Sequence, residues 1–157
     1  MTSEEILVQD LIKKFSFLEE KCNIARVRRI FVDVKAEDIL DVLSFSEKSL
    51  QFTMLPAITG LDVGEDFQVI YHLANEKGIM LNLKTNIPKS NPVIKTVTGI
   101  YQGATLYERE LKDMFGIIIE GLGEGRRYPL PDGWPEDQHP LRKDWKPDAM
   151  KGVLDNE

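Results

Sequence analysis

Five charged residues, Glu108, Arg109, Glu110, Lys112 and Asp113, crowd into the short stretch between Ala104 and Gly116. Carboxylates this close together could work as general acid and base, or they could form ion pairs with a guanidinium or with another chain. An apolar seam runs through them. Tyr107, Leu111, Met114 and Phe115 recur at i, i+4, i+7 and i+8, which is one face of an α-helix. On that helix Glu108 and Glu110 flank the seam on opposite edges, so their carboxylates diverge. No third catalytic group and no pocket-forming glycine loop accompanies them. Ion pairing is the chemistry that fits. Arg109 with Asp113 and Glu108 with Lys112 are i,i+4 pairs, and Glu108, Arg109 and Glu110 are expected to meet complementary charge on a partner or on the chain's own tail.

A second dense segment follows at His139-Pro140-Leu141-Arg142-Lys143-Asp144-Trp145, preceded by Arg126-Arg127. Guanidinium groups on extended, proline-rich backbone suit fixed bidentate contacts between chains. Phosphate binding is disfavoured because no glycine-rich loop opens a helix here. His139 stands alone among polar residues, and a lone histidine is more often a hydrogen-bonding residue than a ligand. Trp134 and Trp145 are costly to leave in water and are typical interface anchors. The expected partner interface is Glu108, Arg109, Glu110, Asp113, Arg126, Arg127, His139, Arg142, Lys143, Asp144 and Trp145.

The whole chain has 157 residues and a net charge of −6, with 42% hydrophobic and 29% charged residues. That is enough apolar material for a core, and too acidic for general nucleic-acid binding. No apolar run approaches the ~20 residues that span a bilayer. The N-terminus is acidic and does not read as a signal peptide, so a cytoplasmic location is expected. One cysteine and two histidines cannot hold a cysteine-ligated cluster or a closed zinc site. Any redox cofactor is therefore expected in another chain.

The elements that position these groups follow from periodicity. Thr2 and Glu5 have capping-box spacing, and Leu7, Leu11, Phe15 and Leu18 continue a first helix. Residues 26–34 alternate as a strand, with Ile30, Val32 and Val34 on one side. Ile39, Leu40 and Leu43 mark a short second helix. Three strands follow, over 50–59 with an irregularity at Pro56, then Phe67 to Leu73, then Ile79 to Leu83. A helical region over 93–115 is expected to kink near Gly99 or Gly103 and to stop at Gly116. The fold class is α+β, a small mixed sheet with helices packed on one face. Residues 1–116 form the scaffold domain. Residues 117–157 form an extended docking tail, rich in proline and glycine, that is ordered only by lying on something else.

The segment Thr98-Gly99-Ile100-Tyr101-Gln102-Gly103-Ala104-Thr105-Leu106-Tyr107-Glu108-Arg109-Glu110, running into Asp113-Met114-Phe115-Gly116-Ile117, resembles the signature of the respiratory complex I 30 kDa subunit family. The run His139 to Trp145 is similar to that family's second signature, and Leu55–Asp62 and Phe67–Leu73 fit its earlier strands. The resemblance covers roughly residues 50–145. Between the two motifs, Gly121-Leu122-Gly123-Glu124-Gly125-Arg126-Arg127 keeps the arginine pair but lacks the His-Pro usual in complex I members. The run Pro129 to Pro135 looks more like the version in membrane-bound energy-converting hydrogenases and formate hydrogenlyase.

The resemblance implies a cofactor-free peripheral-arm subunit. It would dock on the large catalytic subunit of an ion-pumping complex, attached to the inner face of the cell membrane. The large subunit would hold nickel–iron, and a small iron–sulfur subunit and membrane subunits would complete the assembly. A complex I-type NADH, ferredoxin, quinone or sulfur oxidoreductase is the alternative. An independent enzyme using Glu108, Glu110 and His139, and a free-standing binding module, are the readings from other classes.

Overall fold

The structure, a computed structural model, describes residues 1–150. The first helix, α1 (Ser3–Lys14), starts at a reciprocal cap. The Thr2 N–H donates to Glu5 Oε2 at 2.6 Å, and the Glu5 N–H donates to Thr2 Oγ1 at 3.2 Å. The helix ends sooner than its apolar spacing suggests. Phe15 leaves helical geometry and sets its ring edge-on to Phe45 at 5.5 Å, and a 3-10 turn over Ser16–Leu18 still delivers Leu18 to the core.

The strand expected at 26–34 is a hairpin of β1 (Cys22–Arg26) and β2 (Arg29–Asp33). Its reversal at Val27-Arg28 contains no glycine or asparagine to announce it; Arg28 itself takes a positive φ of 61°. The Arg28 N–H donates to Glu4 Oε1 at 2.6 Å, tying the hairpin to α1. That bond, before any other influence, lowers the Glu4 pKa.

Helix α2 (Ile39–Lys48) precedes the meander β3 (Met54–Asp62), β4 (Asp66–Ala74) and β5 (Met80–Pro88). The sheet order is β1-β2-β5-β4-β3, antiparallel except for β2 beside β5. The register of β3 slips between Met54 and Ala57, at Pro56, which cannot donate to the ladder. Registered partners share a face. Ile30, Leu81 and Leu73 form one apolar row, and Val32, Leu83, Tyr71 and Ile58 the next. These residues join Leu11 of α1 and Val42 and Leu43 of α2 in a single core. The opposite face carries polar pairs such as Gln68 with Asn86, 3.0 Å apart.

The helix expected over 93–115 is shorter. Residues Val93–Lys95 form β6, and α3 spans Ala104–Phe115. The run Val93-Ile94-Lys95-Thr96-Val97-Thr98 is rich in β-branched residues, whose stiff side chains suit a strand better than a helix. After Gly116, β7 (Ile118–Glu120) pairs with β6 in parallel. Helix α3 lies against β3 because Gly60 leaves room for it. A Cβ there would sit 2.6 Å from the Phe115 ring and 2.7 Å from Leu111.

Candidate partner interface

Helix α3 buries Leu111 and Phe115 and half-buries Tyr107 and Met114, as the seam requires. The Tyr107 hydroxyl donates to the Pro56 carbonyl at 2.6 Å, which fixes the helix across the irregular end of β3. Two residues expected at the interface point inward instead. Glu108 is 0% exposed; Thr96 Oγ1 donates to one carboxylate oxygen and the Val97 N–H to the other, both at 2.6 Å. Burial raises its pKa, partly opposed by those two hydrogen bonds. Helical spacing pairs Glu108 with Lys112; the carboxylate instead closes the β6–α3 connection. Asp113 is also buried, with one oxygen 3.3 Å from Arg127 Nε and the other without a hydrogen bond among the described residues. The expected Arg109–Asp113 pair gives way to this one.

The two charged segments meet at the C-terminus of α3. A helix leaves its last carbonyls without intrahelical partners. Here three donors from the second segment reach three of them. His139 Nδ1 donates to the Asp113 carbonyl at 2.9 Å, the Leu141 N–H to Met114 at 3.1 Å, and Arg142 Nε to Phe115 at 2.5 Å. A cationic guanidinium at this end also opposes the negative pole of the helix. Gly116, at φ 73°, turns the chain away so that the donors can approach. A Cβ at this position would stand 2.6 Å from both Arg142 Nη2 and His139 Nε2.

Secondary contacts extend this clasp. The Arg142 guanidinium lies 5.2 Å from the centre of the Phe67 ring. The Lys143 N–H donates to Asp62 at 2.9 Å, and Lys89 pairs with the same carboxylate at 2.6 Å. Burial works against ionising Asp62, but the Lys89 ammonium and the N–H groups of Lys143 and Gly64 outweigh it and hold its pKa at about 2. Arg127 also donates to the Trp134 carbonyl, and Arg109 Nη2 to the Glu124 carbonyl at 3.1 Å. Trp134 and Trp145 both donate to Gln138, through its carbonyl at 2.9 Å and its side chain at 3.0 Å. The tail thus has anchors on its own domain, which tail composition alone does not suggest.

Five of the expected interface residues, Arg109, Asp113, Arg126, Arg127 and His139, border one cleft of about 710 Å3 between the end of α3, β7 and the loop over 122–127. Glu110, Lys143, Asp144 and Trp145 lie outside it. Asp62, Phe67 and Gln138 were missed by sequence reasoning. Asp62 is the last residue of β3, and nothing local signals that a segment 81 residues on will bind it. Among the described residues no group of three or more His, Cys, Asp or Glu is placed to hold a metal. Cys22 is half-buried, with burial first and Asp33 second pushing its thiol up to about 11. No helix among the described residues is long and apolar enough to cross a membrane.

The family model of the respiratory-chain NADH dehydrogenase 30 kDa subunit matches residues 32–151, which takes in both signature segments and the clasp between them. The chain belongs to this family. It is 38% identical over 119 residues to the C subunit of NADH-quinone oxidoreductase from Roseiflexus sp. (strain RS-1), covering 72% of this chain and 67% of that one. It is 29% identical over 143 residues to the C subunit of F(420)H(2) dehydrogenase from Methanosarcina mazei, covering 89% and 90%. Among solved structures, a chain of the membrane-bound sulfane sulfur reductase, an archaeal respiratory membrane complex, superposes with a TM-score of 0.83 at 29% identity, covering 96% of this chain and 89% of that one. A trypsin-resistant fragment of Nqo5 shares the fold, with a TM-score of 0.66 at 23% identity.

Proposed function

We propose that this chain is a docking subunit of a membrane-bound oxidoreductase of the complex I type. It has no cofactor of its own and sits on the peripheral arm, on the cytoplasmic side, against the large catalytic subunit. Nickel–iron and iron–sulfur clusters belong to its neighbours, and ion transport falls to the membrane subunits. The observation that supports this best is the clasp. Of the three groups that could look catalytic in sequence, two are engaged in structure, Glu108 with Thr96 and Val97 and His139 with the end of α3, where Arg142 joins it. Groups held this way shape a rigid surface and leave no free acid–base pair. An independent enzyme built on Glu108, Glu110 and His139 is correspondingly disfavoured.

A nickel–iron hydrogenase is the first reading of the whole complex, supported by the Pro129–Pro135 linker and by the absence of His-Pro before Arg126-Arg127. A sulfur-reducing complex is the second, supported by the near full-length likeness to the sulfane sulfur reductase chain. The test is purification from detergent-solubilised membranes through a tag on this chain. Recovery of a large subunit with two Cys-x-x-Cys pairs and stoichiometric nickel supports the first reading. A large subunit without the pairs or nickel supports the second. Recovery of this chain alone refutes the docking function.

A further inference from the structure

We propose that the tip of the β1–β2 hairpin, Arg26-Val27-Arg28-Arg29, docks into an acidic patch on a neighbouring protein subunit. This rests on the docking function above and adds a second contact, at the sheet edge opposite the one that α3 covers. Arg26 and Arg29 are direct partners in the ladder. Arg29 alternates with the core residue Ile30, so both arginines lie on the sheet face turned away from α1 and α2. Like charges directly opposite one another destabilise a strand pair. Nothing among the described residues relieves this pair. None of the guanidinium groups of Arg26, Arg28 and Arg29 makes an ion pair, a hydrogen bond or a ring contact there, although Arg29 is half-buried.

The surrounding charges do not cancel the cluster. Glu4 of α1 accepts from the Arg28 N–H and feels the Arg28 charge as the smallest of its influences, while Glu5 is turned to the Thr2 cap. Glu76 and Lys77 offset each other on the turn that Gly78 brings next to Arg28. Asp33, at the other end of β2, pairs with Lys84. Glu19 and Glu20 precede β1, about 13 Å or more from Arg26 at the rise of a strand and beyond a Debye length of about 8 Å. Three arginines against Glu4 and Glu5 leave the tip locally positive in a chain whose net charge is −6. Its form suits docking. Val27 is 81% exposed at the apex, and half-buried Phe31 and Met80 continue the face behind Arg29. The Glu4 bond at 2.6 Å and the Met80 N–H, which donates to the Arg28 carbonyl at 2.9 Å, hold the tip in place, so binding has little left to order. Guanidinium forks match carboxylates. A lone valine with no Trp, Phe or Leu beside it is a poor anchor in a bilayer, so an acidic protein surface is the occupant that fits.

Arg26→Glu separates docking from folding. It exchanges a like-charge pair for an opposite-charge pair across the ladder with Arg29, so the melting temperature of the isolated chain is expected to stay level or rise. Recovery of the tagged chain in its complex from detergent-solubilised membranes is expected to fall about tenfold for Arg26→Glu, while Arg26→Lys keeps most of it. Recovery equal to wild type overturns the proposal. So does a melting temperature that drops along with recovery, since that marks a structural role. A second measurement reads the chemistry of the partner. In the Arg26→Lys complex a carbodiimide is expected to join the substituted amine to an aspartate or glutamate of another subunit, a link that the wild-type guanidinium does not form. No link, or a link to residues 151–157 of this chain or to a second copy of it, overturns the proposal. Binding of the isolated chain to phosphatidylglycerol vesicles that Arg26→Glu abolishes while the complex stays intact assigns the cluster to lipid and overturns it as well. If the Arg26→Glu chain sits in its complex as wild type does, the tip contact is wrong and the docking function stands. If the wild-type chain joins no complex, both fail.

Discussion

Replacing Gly116 by alanine perturbs the clasp at its hinge. Two costs follow from the structure. The residue holds φ 73°, where an L side chain costs about 1–2 kcal/mol. The new Cβ would also stand 2.6 Å from Arg142 Nη2 and His139 Nε2. Those side chains must retreat, and the Arg142 bond to the Phe115 carbonyl, a charge-assisted contact worth about 1.5–3 kcal/mol, is the first to go. The sum is about 2.5–5 kcal/mol, a large fraction of the stability of a domain this size. Urea unfolding followed by circular dichroism measures the total. Limited trypsinolysis separates the parts, because cleavage after Arg126, Arg127, Arg142 and Lys143 should accelerate before the sheet unfolds. Gly116→Asn is the control. Asparagine tolerates the left-handed conformation but keeps the clash, so it should lose tail protection with less of the backbone penalty. A loss below about 1 kcal/mol for alanine, with tryptic cleavage unchanged, would refute the idea that the tail is seated against the end of α3.

Other consequences can be checked on the isolated chain. Glu108→Ala strands the buried Val97 N–H, leaves the Thr96 hydroxyl with Thr98 alone and opens a cavity under α3, and should cost about 2–4 kcal/mol in urea unfolding. Glu108→Gln should behave differently, since an amide can accept from Val97 and donate to Thr96. Because burial raises the folded pKa of Glu108, its carboxyl favours the fold fully below its ordinary value of 4.5 and loses that contribution as the pH rises through the folded value, so the stability of the glutamine variant relative to wild type should grow above pH 4.5. Asp62→Asn has the opposite sign. Its depressed pKa contributes stability above 3.8 that disappears as the pH falls toward about 2, so wild type and variant should differ by about 1–3 kcal/mol at pH 7 and converge near pH 2 in thermal melts. Gly60→Ala should overpack the α3–β3 contact and lower stability by about 1–3 kcal/mol, because the Phe115 ring cannot withdraw as a flexible side chain can.

The sheet was readable wherever one face is apolar. The alternations Ile30-Val32-Val34 and Phe67-Val69-Tyr71-Leu73 appear in the structure as buried rows. So was the end of α3, because Gly116 is the residue that a left-handed cap calls for. The β1–β2 hairpin was hidden because Val27-Arg28 carries no turn chemistry. The pair β6–β7 was hidden because three-residue strands are too short for a period to show, and because they pair across the whole of α3. For the site, residue types pointed to ion pairing, which among the described residues Asp113 makes with Arg127 and Arg126 with Asp132, while Glu108 and Arg142 bond to a hydroxyl and to backbone groups instead. Helical spacing places Glu108 beside Lys112 and says nothing about Thr96 and Val97, which arrive from the preceding loop. Likewise the chemistry of His139-Pro-Leu-Arg142 is legible as a set of donors, while their acceptors are backbone carbonyls, which no side-chain pattern reveals.

Charge reversal at Arg142, assayed on native gels of solubilised membranes, tests the docking account most directly. Arg142→Glu sets a carboxylate against the Phe115 carbonyl and the negative end of α3, opening the clasp while the five-stranded sheet stays intact. The account predicts a folded chain, by circular dichroism, that is missing from the high-molecular-mass complex. A folded Arg142→Glu chain retained in a fully assembled, active complex would contradict it.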